Sequence, residues 1–170
     1  MTTSNIKLTF AAFVLFVLFK FEATAQPRRR AVPNSSAIFP KGERVPDSTF
    51  TGIAWVKQLI TTDSAFNIPI ANVTFEPGAR TYWHSHAGGQ VLLAMDGIGY
   101  YQEKGKPIQI LRKGDVVKCP ANLPHWHGAS LKVGFTQVAI TPNTAKGRTT
   151  WFQEVTDEEY TNLNKFRRRN

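Results

Sequence analysis

The stretch GARTYWHSHAGGQVLLAMDG, from Gly78 to Gly97, contains two of the four histidines of the chain and decides the fold. His84 and His86 are two residues apart, and residues two apart on a β-strand point to the same face. A glycine pair directly before Gln90 permits a tight turn, which can bring the amide back toward both imidazoles. These three side chains are therefore predicted to bind one divalent metal ion, because imidazole and amide oxygen both suit such ions.

The other two histidines form a second cluster, His125 and His127. His125 follows the rigid loop PANLP and can supply a third imidazole. Three imidazoles and one neutral amide leave open coordination positions, as a catalytic site requires. The predicted metal ligands are His84, His86, Gln90 and His125.

His127 shares the strand parity of His125 and is the candidate catalytic residue, as a proton acceptor. Three other interpretations stay open: a hydrogen-bond partner of the site, an alternative metal ligand, and a structural histidine. Trp83 and Trp126 alternate with the histidines. They are therefore predicted to point away from the metal and to serve packing.

The sequence around these clusters predicts an all-β domain. From Ser36 to about Ala139, runs rich in β-branched and aromatic residues are interrupted by turn residues about every 8 to 12 positions, a pattern typical of a sandwich or barrel. The pair Asp96-Gly97 is predicted to be a hairpin turn between two strands. Thr156 and Glu159 form a capping box, which predicts one C-terminal helix from Asp157 to about Phe166.

The two histidine clusters resemble the two sequence motifs of the cupin family. Gly78 to Gly97 is similar to G-x5-H-x-H-x3-E-x6-G, with Gln90 in place of the glutamate. Gly114 to His125 (GDVVKCPANLPH) is similar to G-x5-P-x-G-x2-H, with Asn122 in place of a glycine. Asparagine tolerates left-handed dihedrals, so the turn should be kept. The resemblance implies a single-domain jelly-roll barrel, or double-stranded β-helix, and a homodimer or higher homo-oligomer.

Between about Phe50 and Tyr160 the chain resembles small bacterial cupins that include the manganese-dependent (R)-hydroxynitrile lyases. The resemblance favours Mn²⁺ as cofactor, with Zn²⁺, Fe²⁺ or Ni²⁺ as alternatives, and it implies a histidine base. Gln137 occupies the position of that base, and a neutral amide cannot accept a proton as imidazole does. Thr141 replaces a glutamine that lines the pocket of those enzymes.

These observations predict a metal-dependent lyase or isomerase that acts on a small-molecule substrate. A metal-dependent dioxygenase is one alternative, since the same ligand set can bind iron, nickel or copper. A cupin that binds a small ligand without turnover is another, because one fold hosts many functions.

The N-terminus is typical of an export signal. Lys7 precedes an apolar run of 12 residues, Leu8 to Phe19, which is shorter than the ~20 needed to span a bilayer. Ala23 to Ala25 gives a small-x-small cleavage site. Cys119 is the only cysteine, so no intramolecular disulfide forms, and we expect a periplasmic or secreted protein with no stable membrane anchor.

The predicted organisation is a signal peptide (1–25), a flexible basic leader (26–35), a cupin domain (36–160) and a basic tail (161–170). The formal net charge of +9 falls to +8 without the signal, with 19 basic and 11 acidic residues. Seven of those basic residues lie in the leader and the tail, so the domain itself is almost neutral. We therefore expect no nucleic-acid partner. Arg80, at the entrance of a strand, is expected to be an exposed charge rather than a clamp for an anionic substrate.

Overall fold

The computed structural model describes residues 37–63 and 65–162. The predicted signal peptide and leader, and the tail from residue 163, lie outside these ranges. Within them the chain forms twelve β-strands, one turn of 3₁₀ helix and one α-helix. The strands are β1 (Glu43–Arg44), β2 (Phe50–Thr51), β3 (Ala54–Ile60), β4 (Ile70–Phe75), β5 (Arg80–Thr81), β6 (His84–His86), β7 (Gln90–Glu103), β8 (Gln109–Arg112), β9 (Val116–Cys119), β10 (His125–Ala129), β11 (Phe135–Ile140) and β12 (Thr149–Trp151). The 3₁₀ turn is Thr144–Lys146, and helix α1 is Asp157–Thr161.

The strands form a curled antiparallel sheet in which β7 is shared by two halves. One half contains β1, β3, β4, β11 and β9, of which β11 and β9 pair with the first part of β7. In the other half, β8 and β10 pair with the second part of β7, and β10 continues to β5 and β2. The short strand β6 lies between β10 and β12. The all-β prediction is confirmed.

The predicted hairpin at Asp96-Gly97 is wrong, because β7 runs through this pair without reversing. Gly97 has a φ of +80°, and the pairing with β11 shifts register between Thr136 and Gln137. An added residue in one strand of an antiparallel pair makes a β-bulge, which bends the strand and increases its twist. The bulge therefore falls where β7 passes from one half of the sheet to the other. The Asp-Gly pair that suggested a turn supplies the left-handed glycine of this bend.

The inner faces of the two halves enclose the larger hydrophobic core. Its members come from both halves and include Phe75 on β4, Leu92 on β7 and Phe135 on β11. A second cluster lies under the C-terminal segment and contains Trp83, Trp126 and Tyr160. The two tryptophans thus face away from the histidines, as predicted from their alternation with them.

Arg80 fixes the C-terminal segment, and the prediction that its charge is exposed is wrong. Arg80 is buried rather than exposed, because its guanidinium donates to the carbonyl of Val155 and to the carboxylate of Asp157 and lies over the ring of Tyr160. Tyr160 in turn donates its hydroxyl proton to the carbonyl oxygen of Ala129. Arg80 therefore anchors helix α1 and is not available to a substrate.

Helix α1 begins at the predicted capping box. The Thr156 hydroxyl accepts from the backbone N–H of Glu159, and the Glu159 carboxylate accepts from the backbone N–H of Thr156. The helix is shorter than predicted, because it ends at Thr161 and Asn162 is its non-helical C-cap; residues 163–166 lie outside the described residues. None of the helices in the described ranges has the length and apolar character that crossing a membrane requires.

Candidate metal centre

All four histidines lie together between the two halves of the sheet, at a cavity of about 320 Å³. His84, His86, Gln90 and His127 line this cavity, and the ring centroids of His84 and His125 are 4.4 Å apart. The rest of the lining consists of apolar, hydroxyl and amide side chains. These are Phe50, Val56, Gln58, Pro69, Ala71, Val73, Thr81, Ala139, Thr141, Thr149 and Trp151.

Backbone carbonyls orient two of the histidines. Nδ1 of His84 donates to the carbonyl oxygen of Tyr82, and Nδ1 of His125 donates to that of Leu123, each at 2.9 Å. A neutral imidazole carries one proton, so Nε2 of each ring keeps a free lone pair. An outer hydrogen bond of this kind fixes the tautomer and direction of a metal-binding histidine.

Gln90 presents its amide oxygen to Nε2 of His125. Its Nε2 donates to the hydroxyl of Thr141, and its Oε1 lies 3.4 Å from Nε2 of His125. Because His125 uses its proton on the backbone, two lone pairs face each other here with no proton between them. A cation would relieve that repulsion, so the donor set fits a divalent metal ion.

The turn that places Gln90 forms as expected from the glycine pair. Gly89 has a φ of +80° and donates its backbone N–H to the carbonyl of His86. A side chain at this position would also approach the carbonyl oxygen of Cys119 to within 3.0 Å. Asn122, in the loop before His125, adopts a left-handed φ of 60°, so asparagine does replace the glycine of the motif.

Thr141→Val is expected to weaken metal binding about tenfold, as loss of an outer-shell partner typically does. The substitution removes the acceptor for the Gln90 amide N–H and frees the amide to rotate its oxygen away. Thr141→Ser keeps the acceptor and should retain wild-type affinity. Competition with a chromophoric chelator measures both variants, and equal affinities for the two would contradict the role assigned to the hydroxyl.

Strand β12 completes the surroundings of β6, and sequence reasoning missed it. The Thr149 hydroxyl lies 3.0 Å from Nδ1 of His86, and the Trp151 ring lies 4.8 Å from that of His84. Nε2 of His86 is buried and has no hydrogen-bond partner within residues 37–63 and 65–162, as expected of an imidazole nitrogen that binds a ligand. The available signal was the β-branched and aromatic run TTW, which is typical of a short strand.

His127 lies on the inner face of β10 with its backbone and ring both held. Its backbone N–H donates to the Thr81 hydroxyl, and the amide nitrogen of Gln137 lies 2.9 Å from its Nδ1. An amide nitrogen can only donate, so Nδ1 accepts and neutral His127 carries its proton on Nε2. The Nε2 atom is buried without a partner. Gln137 occupies the position at which the resemblance implies a histidine base. It therefore contacts His127, the candidate catalytic residue of this chain.

Two ligand sets are consistent with these positions. The ligand atoms of His84, His125 and His127 lie within 4.8 Å of one another. His86 is also adjacent, with its ring centroid 5.1 Å from that of His84 and 5.6 Å from that of His125. The structure thus brings together every residue predicted from the sequence, and the division into ligands and non-ligands stays a prediction.

Burial keeps all four histidines neutral near neutral pH. Desolvation, followed by repulsion among the rings, lowers the pKa of His84 and His127 well below the ordinary value. The pKa of His86 falls to about 4, and that of His125 is also lowered, in both cases chiefly through burial. Since neutral imidazole is the form that binds metals, the site is ready to bind without first losing protons.

Cys119, the single cysteine, is not part of the candidate metal centre. Burial raises the pKa of the Cys119 thiol to about 12, and its neighbour Tyr101 has a raised pKa for the same reason. A protonated thiol is a weak nucleophile and a poor metal ligand. Cys119 therefore serves packing in the larger hydrophobic core.

Comparison with known proteins identifies a family and a curated relative. Residues 71–131 match the model of the Cupin domain. The chain is 37% identical over 115 residues to an (R)-mandelonitrile lyase of Granulicella tundricola, across 68% of this chain and 88% of that protein.

Solved structures show the same architecture. A cupin-like protein of Thermotoga maritima is 45% identical, with a TM-score of 0.74 across 76% of this chain and 98% of that chain. A DMSP lyase of Ruegeria pomeroyi shares the fold at 16% identity, with a TM-score of 0.52 across 68% of this chain and 59% of that one. The protein therefore belongs to the cupin family, as a single-domain member.

Proposed function

We propose that this protein is a metal-dependent lyase that acts on a small neutral molecule, with a divalent ion held by His84, His86, Gln90 and His125. One observation carries the proposal. Oε1 of Gln90 lies 3.4 Å from Nε2 of His125, and because Nδ1 of His125 donates to the carbonyl of Leu123, both of these atoms are acceptors. The similarity to (R)-mandelonitrile lyase supports the reaction class. Mn²⁺ is the ion we favour, by resemblance.

The ion, when bound, would supply Lewis acidity toward a carbonyl or hydroxyl oxygen. The chain supplies the orientation of the ligands. Tyr82 and Leu123 hold His84 and His125 through their backbone carbonyls, and Thr141 holds Gln90. None of the four proposed ligands carries a negative charge, so the ion would keep its full positive charge in a buried site. Such an environment strengthens its interaction with a substrate oxygen.

The cavity wall favours an uncharged substrate. Among the described residues that line it, none carries a carboxylate, an ammonium or a guanidinium group. Apolar side chains such as Val56, Val73 and Ala139 form much of the wall, and Trp151 lies at its exposed edge. A carboxylate or phosphate group would meet positive charge only at the ion and would find no cationic side chain to hold the rest of it, whereas an apolar body with one polar oxygen suits the lining.

His127 is the candidate catalytic residue, because it faces the cavity beside the proposed ligands. Substituting His127 by alanine should lower kcat for cyanohydrin cleavage by about 10²-fold or more, the usual contribution of a positioned proton-transfer or hydrogen-bonding group. The assay follows benzaldehyde released from (R)-mandelonitrile by manganese-loaded protein. Metal content should be unchanged.

A His127→Ala variant with full metal and full activity would contradict the role of His127. Absence of cleavage by the wild type would instead reject the cyanohydrin substrate. An oxygen electrode on the same samples separates the lyase from a dioxygenase, since cleavage of a cyanohydrin consumes no oxygen.

A further inference from the structure

Gln137, which occupies the position of the histidine base in similar cupins, lies directly beside His127. Gln137 lies on β11 and is fully buried, and its amide nitrogen is 2.9 Å from Nδ1 of His127. Its Oε1 has no hydrogen-bond partner among the residues that the structure describes. A buried amide with a single partner is held by that partner, so the orientation of Gln137 and the protonation of His127 are linked.

Two orientations of the amide fit the same space, and they have opposite effects on His127. If the nitrogen faces Nδ1, the imidazole accepts there and keeps its proton on Nε2. If the oxygen faces Nδ1, the imidazole donates there and leaves a lone pair on Nε2. The second orientation would strand both amide hydrogens in a wholly buried place, and buried N–H groups without partners are rarer than buried carbonyls without partners. The observed orientation is therefore favoured.

The other ring nitrogen of His127, Nε2, is available to a ligand in the cavity. His127 lines the cavity, is 4% exposed, and has no partner for Nε2 among the described residues. Phe75 packs edge-on against the ring, with centroids 5.9 Å apart, and Thr81 fixes the backbone. Phe75 and Thr81 thus fix the position of the ring at the cavity wall.

We propose that Gln137 is a positioning residue that fixes His127 in the tautomer with its proton on Nε2. In this form His127 cannot be a metal ligand, although its ring lies close enough to join His84 and His125. It instead presents an N–H donor to an oxygen of the substrate. A neutral histidine can stabilise developing negative charge in this way. This inference rests on the proposed function only where it gives His127 a role toward the substrate. The tautomer of His127 and the set of metal ligands are properties of the protein without substrate.

The test uses the mature chain labelled with ¹⁵N-histidine and loaded with ¹¹³Cd, a diamagnetic ion whose scalar coupling identifies each bound nitrogen. We expect coupling to Nε2 of His84, His86 and His125 and none to His127. The ¹⁵N shifts of His127 should show a protonated Nε2 and an unprotonated Nδ1. Coupling of ¹¹³Cd to His127, or a proton on Nδ1, would overturn the inference from the wild-type spectrum alone. A lack of lyase activity would leave this spectrum unchanged, so the two proposals fail separately.

Gln137→Glu provides the matched variant, because a carboxylate of the same shape can only accept from Nδ1. We expect the proton of His127 to move to Nδ1, which exchanges the two ¹⁵N shifts. Gln137→Met keeps the length of the side chain without the hydrogen bond and should give a mixture of tautomers. If the carboxylate variant retains the wild-type tautomer, Gln137 does not control it.

Discussion

Replacing His84 and His125 together by alanine should reduce bound metal from near one ion per chain to none. Both side chains are fully buried, their ring centroids lie 4.4 Å apart, and Nδ1 of each donates to a backbone carbonyl, which leaves a lone pair on each Nε2. Two of four proposed ligands would be lost, including the imidazole that faces Gln90 across 3.4 Å. The measurement is elemental analysis of protein purified without a metal-affinity tag.

The matched control is His127→Ala, which removes one imidazole from the same cavity without removing a proposed ligand. It should retain near-stoichiometric metal. Circular dichroism must show that the double variant is folded, since it loses two buried rings. Metal in the double variant would reject the proposed ligand set. A wild type without metal would reject the enzyme proposals together and favour a barrel that binds a small ligand.

Acid should unfold the metal-free protein in the range where its histidines titrate. The pKa of His86 falls from the ordinary 6.5 to about 4 on folding, so the unfolded state binds its proton first as the pH drops. The stabilising effect of the neutral ring is therefore complete above pH 6.5 and is lost as the pH falls toward 4. At about 1.4 kcal/mol per pKa unit, His86 alone contributes roughly 3 kcal/mol across this range.

The other three histidines act in the same direction, because burial lowers the pKa of each. Urea unfolding at pH 7, 6, 5 and 4 in the presence of a chelator gives the free energy of unfolding directly. His86→Gln removes one titrating ring from the cavity and should reduce the pH slope by up to one proton. A slope that is the same in the variant and the wild type would show that His86 does not drive the acid sensitivity.

The sequence predicts the centre of this site well because its geometry is local. The two-residue spacing of His84 and His86 fixes their common face, and the glycine turn returns Gln90 within four residues. The all-β fold follows from short strands and frequent turn residues, and the helix cap from a four-residue pattern. Each of these signals is complete within a few positions of the chain.

The parts that the sequence did not predict depend on distant pairings. Asp96-Gly97 has the composition of a hairpin, and only the register against β11 makes it a bulge. Arg80 is buried by a segment some 75 residues away. The contact of Thr149 with His86 likewise joins strands that are far apart in sequence, and the contact of Gln137 with His127 joins two consecutive strands that do not pair with each other. No local pattern contains this information.

The sharing of β7 by both halves of the sheet has a consequence for cooperativity. Gln90–Glu103 pairs with β9 and β11 at one end and with β8 and β10 at the other, so loss of this strand would leave β8 and β9 without a partner and would remove a neighbour of β10 and β11. Partial opening of one half would strand buried backbone groups of the other. Amide hydrogens in the middle of β7 should therefore exchange with solvent only through global unfolding. The cavity, which receives Gln90 from the start of this strand, is preserved or lost together with the whole domain.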